Sequence, residues 1–178
     1  MKTLLLLRHA KSSWTDPSRS DHDRELNRRG EQAAPVMGRY LQDQGLVPDL
    51  IWCSTAARAV QTLTLLGRNF ASTSDVIYNE DLYMASEKVL LDSLVQTHDE
   101  ARCVMMIGHN PGMEDFAAQL FGDGDGEALL QMKRKFPTCG LCQYEFDVDH
   151  WADVRPETGR LIRFVKVKDL QGIGAPPT

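Results

Sequence analysis

The sequence predicts an α/β protein of one domain, a three-layer α/β/α sandwich around a mainly parallel sheet. Three observations carry that prediction. Short apolar runs, among them Thr3–Leu7, Asp49–Cys53 and Arg102–Gly108, alternate with longer segments of helical periodicity, the order of βαβ units. The first run, TLLLL, is apolar at nearly every position instead of every second one, as a central strand covered on both faces requires. The 178 residues, 42% hydrophobic and 25% charged, suit a single sizeable core.

Taken in order, the first strand is Thr3–Leu7, followed by a polar loop from Lys11 to Asn27. A helix runs from about Arg29 to Gln44, with Gly45 as its stop. Asp49–Cys53 is the second strand. Ser54 is read as the N-cap of a helix bearing Val60, Leu63 and Leu66 at helical spacing. A shorter third strand falls at Val76–Tyr78. Ser86 then caps a helix reaching Gln96, with Val89, Leu90 and Leu94 on its apolar face. After the fourth strand, Arg102–Gly108, Asn110 and Pro111 read as N-cap and first residue of a helix through Leu120. Two further strands, Leu141–Phe146 and Leu161–Val167, flank an irregular stretch with Trp151 and Pro156 and are expected as a hairpin or meander at the sheet edge. The domain is residues 1–170, and the tail Gln171–Thr178 is expected to be loose.

Composition narrows the function. A net charge of −5 argues against general nucleic-acid binding. The start, MKTLLLLRHAK, resembles a signal peptide only superficially, because its apolar run ends in Arg8–His9 with no cleavage site. No stretch approaches the roughly 20 apolar residues that span a bilayer, so a cytoplasmic protein without a membrane partner is expected. Cys53 and Cys103 lie in apolar runs and read as core. Cys139 and Cys142 match C-x-x-C, yet a spacing of three in a strand sends the thiols to opposite faces.

Three polar clusters fall just after strands, where ligands bind in open parallel sheets: Arg8–His9, Ser54 with Arg58, and Gly108–His109–Asn110. Parallel strands end on one side, so these groups can converge. Arg58 is placed near the start of its helix, where the dipole disfavours a cation by about 0.3–1 kcal/mol unless an anion is close. Helix N-termini themselves favour anions. Two arginines, two histidines and two helix starts around one point make a site for a doubly charged phosphate.

The motifs LLLRHAKSS, CSTAARAVQT and IGHNPG together resemble the histidine phosphatase (phosphoglycerate mutase-like) superfamily, with its R-H-G/A strand end and S-x-x-x-R-x-x-Q-T segment. The loop SDHDRELNRRG, of pattern D-x-x-R-x-L-x-x-x-G, is similar to the SixA-like phosphohistidine phosphatase branch. The resemblance covers about Leu4 to Gly112. It implies that His9 takes the phosphoryl group, which water then releases, while Arg8, Arg58 and His109 bind the phosphoryl oxygens. It implies no metal or other cofactor, and a phosphohistidine protein or a small phosphate as substrate. Arginine suits phosphate because its planar fork donates two bonds, and phosphoryl transfer asks mainly for positioning and charge neutralisation.

Other residues are open between roles. Ser54 touches phosphate or only caps its helix. Arg24 reaches substrate or pairs with Asp21 or Asp23. Asp21–His22–Asp23 reads as a solvated loop and not as a metal site. The segment Gly122–Glu127 resembles a calcium loop but carries Arg134 where the bidentate Glu belongs. Larger superfamily members place a general acid after the third strand, where Glu80 and Asp81 stand here. The segment that follows is too short for a mutase-type lid. Ala10 replaces the commoner Gly, and Glu25 replaces a Pro. The alternatives to a phosphatase are a phosphate-binding module without turnover and, less favoured, a phosphoglycerate mutase.

Overall fold

Leu4 to Leu7 are all fully buried, yet they serve two different cores. They lie on strand β1 (Lys2–Arg8), whose side chains alternate across the pleat. Leu4 and Leu6 join a cluster with Val104, Met106, Phe116 and Trp151, whereas Leu5 and Leu7 join Met37, Leu63, Met105 and Ile107. A strand apolar on both faces therefore becomes the centre of a three-layer sandwich. The computed structural model describes residues 1–170, and the tail expected to be loose lies outside the described residues.

The remaining elements are α1 (Arg28–Asp43), β2 (Leu50–Ser54), α2 (Ala57–Leu66), α3 (Arg68–Thr73), β3 (Asp75–Asn79), α4 (Glu87–Val95), β4 (Cys103–Gly108), α5 (Gly112–Leu120), β5 (Phe121–Gly124), α6 (Gly126–Arg134), β6 (Leu141–Phe146), β7 (Gly159–Val165) and α7 (Val167–Leu170). The sheet order is β3-β2-β4-β1-β6-β7-β5. Only β6 runs against the others, pairing antiparallel with both β1 and β7. Helices α1 and α2 pack together beside one face, while α4 and α5 cover the other.

Several expectations are corrected. Ser54 does not cap α2: it ends β2, the helix begins at Ala57, and the residue before it, Ala56, has no side-chain cap. Asn110 does not cap α5 either, because Pro111 precedes a helix that starts at Gly112. The last two strands do not form the sheet edge. Beyond β7 the chain adds β5, whose FGDG sequence carries no strand signal and pairs in parallel with Gly159–Leu161. Helix α6 was also illegible, since only Ala128 and Met132 are buried; Asp125 starts it by accepting from the N–H groups of Glu127 and Ala128. The thiols of Cys139 and Cys142 do belong to opposite cores, but Cys139 lies before β6 with a φ of 59°, so strand alternation is not the reason.

One close approach sets the position of the helix behind the site. A Cβ on Gly38 would stand 1.8 Å from the carbonyl oxygen of Leu66, so the two backbones touch where α1 meets α2. Gly38→Ala is expected to destabilise the fold by about 1–3 kcal/mol through overpacking. Urea unfolding checks this, and an unchanged midpoint would contradict the contact.

Candidate active site

The strand end is held by backbone bonds before any side chain is considered. The His9 N–H donates to the Gly108 carbonyl at 3.1 Å, and the Cys139 N–H donates to the carbonyls of Arg8 and His9 at 3.0 Å each. The Ala10 N–H donates to Thr62 Oγ1 at 2.9 Å, and that hydroxyl donates to the Arg58 carbonyl at 2.6 Å. The residues flanking His9 are thus tied to β4, to the loop before β6 and to α2. Ala10 is fully buried at this junction.

His9 Nδ1 lies 2.7 Å from the Ala10 carbonyl. A carbonyl can only accept, so Nδ1 carries the proton and Nε2 is the free base. The Nε–H of Arg58 donates to that Nε2 at 3.3 Å. His109 packs beside it, with ring centroids 5.0 Å apart. Burial above all, and then the neighbouring arginines 58, 8 and 24, push His9 down to about 3, against the bond to Ala10. His109 is likewise pushed down to about 3, by burial first and then by His9 and Arg58. Both imidazoles are therefore neutral near pH 7.

Two buried atoms in this cluster lack any hydrogen-bond partner: Arg8 Nε and His109 Nδ1. Arg8 commits Nη1 to the Phe136 carbonyl at 2.7 Å, and His109 commits Nε2 to Ser54 Oγ at 2.8 Å. Orphaned buried polar atoms are costly and rare. One belongs to the residue before His9 and the other to the imidazole whose ring centroid lies 5.0 Å from that of His9, and a bound anion would accept from the Arg8 Nε–H.

Arg58 is the second residue of α2, closer to the helix start than the sequence reading places it. The anion its position demands is internal. Arg58 donates to the Asp21 carbonyl and, at 3.0 Å, to Asp21 Oδ2. Asp21 also accepts from Tyr83 Oη at 2.6 Å and from Arg24 Nη1 at 2.5 Å. The Tyr83 hydroxyl above all, with Arg24 and Arg58, holds the Asp21 carboxyl down to about 2. Arg24 pairs with Asp21, as one of its two readings has it, and its guanidinium stacks 3.2 Å from the exposed Trp14 ring centre. Its remaining donors go to Ser12 and Ser13. Ser54 serves His109 in place of a helix cap. Glu25 is exposed and pairs with Arg19 at 2.7 Å.

The expected general acids do not join this cluster. Glu80 and Asp81 are exposed in a 3-10 turn over Glu80–Leu82. Asp81 lines a separate cavity with Trp52, Val89 and Ser93, and neither carboxylate contacts His9 or His109 among the described residues. The turn brings in Tyr83 instead, whose ring meets His109 edge-on at 5.5 Å and lies 5.7 Å from the Arg58 guanidinium.

Comparison with known proteins agrees with this geometry. The model of the histidine phosphatase superfamily (branch 1) matches residues 4–83. A candidate phosphohistidine phosphatase SixA of Agrobacterium tumefaciens is 34% identical, with a TM-score of 0.77 over 93% of this chain and 97% of that one. The chain belongs to the histidine phosphatase superfamily, in its SixA-like branch. A second candidate SixA, from Nakamurella multipartitia, is 26% identical with a TM-score of 0.78, covering 93% and 95% of the two chains. An uncharacterized protein of Mycobacterium tuberculosis, Rv1276c, is 32% identical over 160 residues, 89% of this chain and 98% of its own length.

The SixA-like motifs now have physical reasons. In D-x-x-R-x-L-x-x-x-G, Asp21 and Arg24 build the clamp on Arg58. In S-x-x-x-R-x-x-Q-T, Gln61 Oε1 accepts from the Leu26 N–H at 2.8 Å, and Thr62 holds Ala10. Sequence reasoning missed Asp21, Gln61, Thr62 and Tyr83 as site-building residues. The conjunction of the two motifs was the available signal for the first three; Tyr83 offered none.

Both imidazoles give the SixA-like fold an acid liability. Their folded values lie below the ordinary histidine value of about 6.5, so the unfolded chain binds more protons between pH 6.5 and about 3. Stability therefore falls as pH falls through that window. The double variant His9→Gln, His109→Gln is expected to lose stability less steeply on acidification. Urea midpoints at pH 7 and pH 5 read this directly, and parallel slopes for the two proteins would refute it.

Proposed function

We propose that this chain is a phosphatase that works through a phosphohistidine on His9 and acts on protein phosphohistidine or on small phosphate monoesters. One observation carries the reading most: the unprotonated His9 Nε2 lies 3.3 Å from Arg58 Nε, in a cluster where buried Arg8 Nε and His109 Nδ1 have no hydrogen-bond partner. The lone pair on Nε2 attacks phosphorus as the bond to the leaving group breaks in line. Arg8 and Arg58 neutralise charge on the equatorial oxygens, and His109 binds there too, taking up a proton as the phosphate raises its pKa. Water then attacks the phosphorus of the intermediate, Nε2 departs as the free base, and phosphate is released. No metal enters this scheme.

The displaced position of Glu80 and Asp81 supports an N–P substrate over an alkyl ester. A phosphohistidine leaves as a neutral imidazole once its second ring nitrogen is protonated, which asks little of a general acid. An alkoxide asks much more. The short segment 80–86 between β3 and α4 supports an open pocket and disfavours the mutase reading. A cytoplasmic setting belongs to the same proposal, and four free cysteines suit it. No helix among the described residues is long and apolar enough to cross a membrane.

The test of the mechanism is a pulse with a labelled phosphoryl donor. Acid-labile label is expected to appear on wild-type protein and then decay, with none on His9→Ala. Tight binding of phosphoprotein without labelling would instead favour a binding module. Anion binding gives a second check. Burial above all keeps His109 neutral, and an incoming dianion opposes that effect by favouring the imidazolium, which raises its pKa. Tungstate binding near pH 7 is expected to take up a proton, seen by calorimetry in buffers of different ionisation enthalpy. His109→Asn should abolish the uptake; an uptake that survives the substitution would assign the proton elsewhere.

A further inference from the structure

We propose that the basic groove between α1, α6 and α7 docks an acidic segment of the phosphoprotein substrate. The inference rests on the phosphatase reading for the identity of the partner. The groove, about 1130 Å³, is lined by Lys11, Arg29, Arg134, Lys135, Lys166 and Lys168 against only Glu127 and Asp169. That surplus of cations stands on a chain of net charge −5. Lys166 meets Asp169 at 3.6 Å; the other five cations have no ion pair among the described residues. Six cations therefore face two carboxylates across the groove.

The groove borders segments that adjoin the active site, although Arg8, His9, Arg58 and His109 do not themselves line it. Lys11 follows His9 by two residues, so the two lie within roughly 7 Å along the chain. The first turn of α1 is tied to it, since the Asn27 N–H donates to the Lys11 carbonyl at 2.9 Å. Pro137 and Thr138, which also line the groove, stand between Phe136, which accepts from Arg8, and Cys139, which donates to His9. A chain lying in the groove would therefore run beside the segments that carry and brace Arg8 and His9.

The size and chemistry favour a protein segment. Pockets for small molecules hold roughly 300–1,000 Å³, and this groove is larger and open. Leu130 on α6 is 70% exposed along it and offers an apolar contact that a small phosphate would not use. The negative charge of the whole chain would repel the long uniform phosphate backbone of a nucleic acid. A short run of Asp and Glu meets only the local field.

The experiment uses two phosphohistidine peptides of equal length, one with a run of Glu beside the phosphorylated residue and one with Gln in the same places. Wild type is expected to prefer the Glu peptide in kcat/KM by about tenfold at low salt, with the preference fading as salt rises. The triple variant Arg29→Gln, Arg134→Gln, Lys168→Gln should lose the preference and keep wild-type turnover of phosphoramidate. Equal rates on both peptides with wild type, or a variant that loses both activities together, would overturn the groove. If wild type turns over neither peptide, the phosphatase reading fails separately. The groove is then judged by titration with unphosphorylated Glu peptide, where binding lost in the variant supports it and absent binding overturns it. A variant that instead loses binding of a poly-dT oligonucleotide, with peptide behaviour unchanged, would also refute the proposal.

Discussion

His9→Ala is expected to lower turnover of phosphoramidate or a phosphohistidine peptide by a factor on the order of 10⁴–10⁶, the cost typical of deleting a nucleophile. The physical reason is that no other group replaces Nε2. His109, the neighbouring imidazole, carries a proton on Nδ1 when its Nε2 accepts from the Ser54 hydroxyl, which leaves it no free lone pair, and each cysteine is buried or half-buried, with its thiol pushed well up by burial. Folding is expected to survive, because the backbone of the strand end is held by bonds to Gly108 and Cys139 that do not involve the imidazole. Circular dichroism and a urea midpoint beside the assay separate a lost nucleophile from a lost fold. Activity within tenfold of wild type would place the chemistry elsewhere.

Arg58→Lys is expected to cost about 10²–10³ in kcat/KM, comparable to removing one preorganised donor from a charged transition state. The guanidinium reaches His9 with Nε while its two other nitrogens hold Asp21. A single ammonium cannot serve both directions. Arg58 also helps keep His9 low, so Arg58→Ala should raise the pKa of His9 and move the acid limb of kcat/KM to higher pH. The sign follows from removing a cation that disfavours the imidazolium. A rate loss with an unmoved acid limb would mean that Arg58 acts on substrate alone. Rescue of Arg58→Ala by guanidinium would support a direct role.

The outline of the fold was readable where strands are apolar on both faces. Thr3–Leu7 and Arg102–Gly108 announce central parallel strands, and these do lie side by side in register from Thr3 opposite Cys103 to Arg8 opposite Gly108. Elements with a weak apolar signal escaped: β5, a four-residue FGDG strand, and α6, with two buried side chains. Their stability comes from neighbours that local composition does not reveal. Helix starts were displaced because Ser54 and Asn110 look like caps, whereas their side chains answer to His109 and to Glu114 with Phe136.

By itself, the sequence determined that Arg8, His9, Arg58 and His109 stand at strand ends and helix starts on one side of a parallel sheet, because those positions follow from local apolar runs and motif order. Only the tertiary structure decided what they do to one another. It set the proton on Nδ1 of His9, it supplied Asp21 as the anion that a cation at a helix start requires, and it put Tyr83 at the site while leaving Glu80 and Asp81 outside. These outcomes depend on distances of a few ångströms between segments far apart in sequence, and short-range electrostatics and hydrogen bonding resolve them only once the chain has folded.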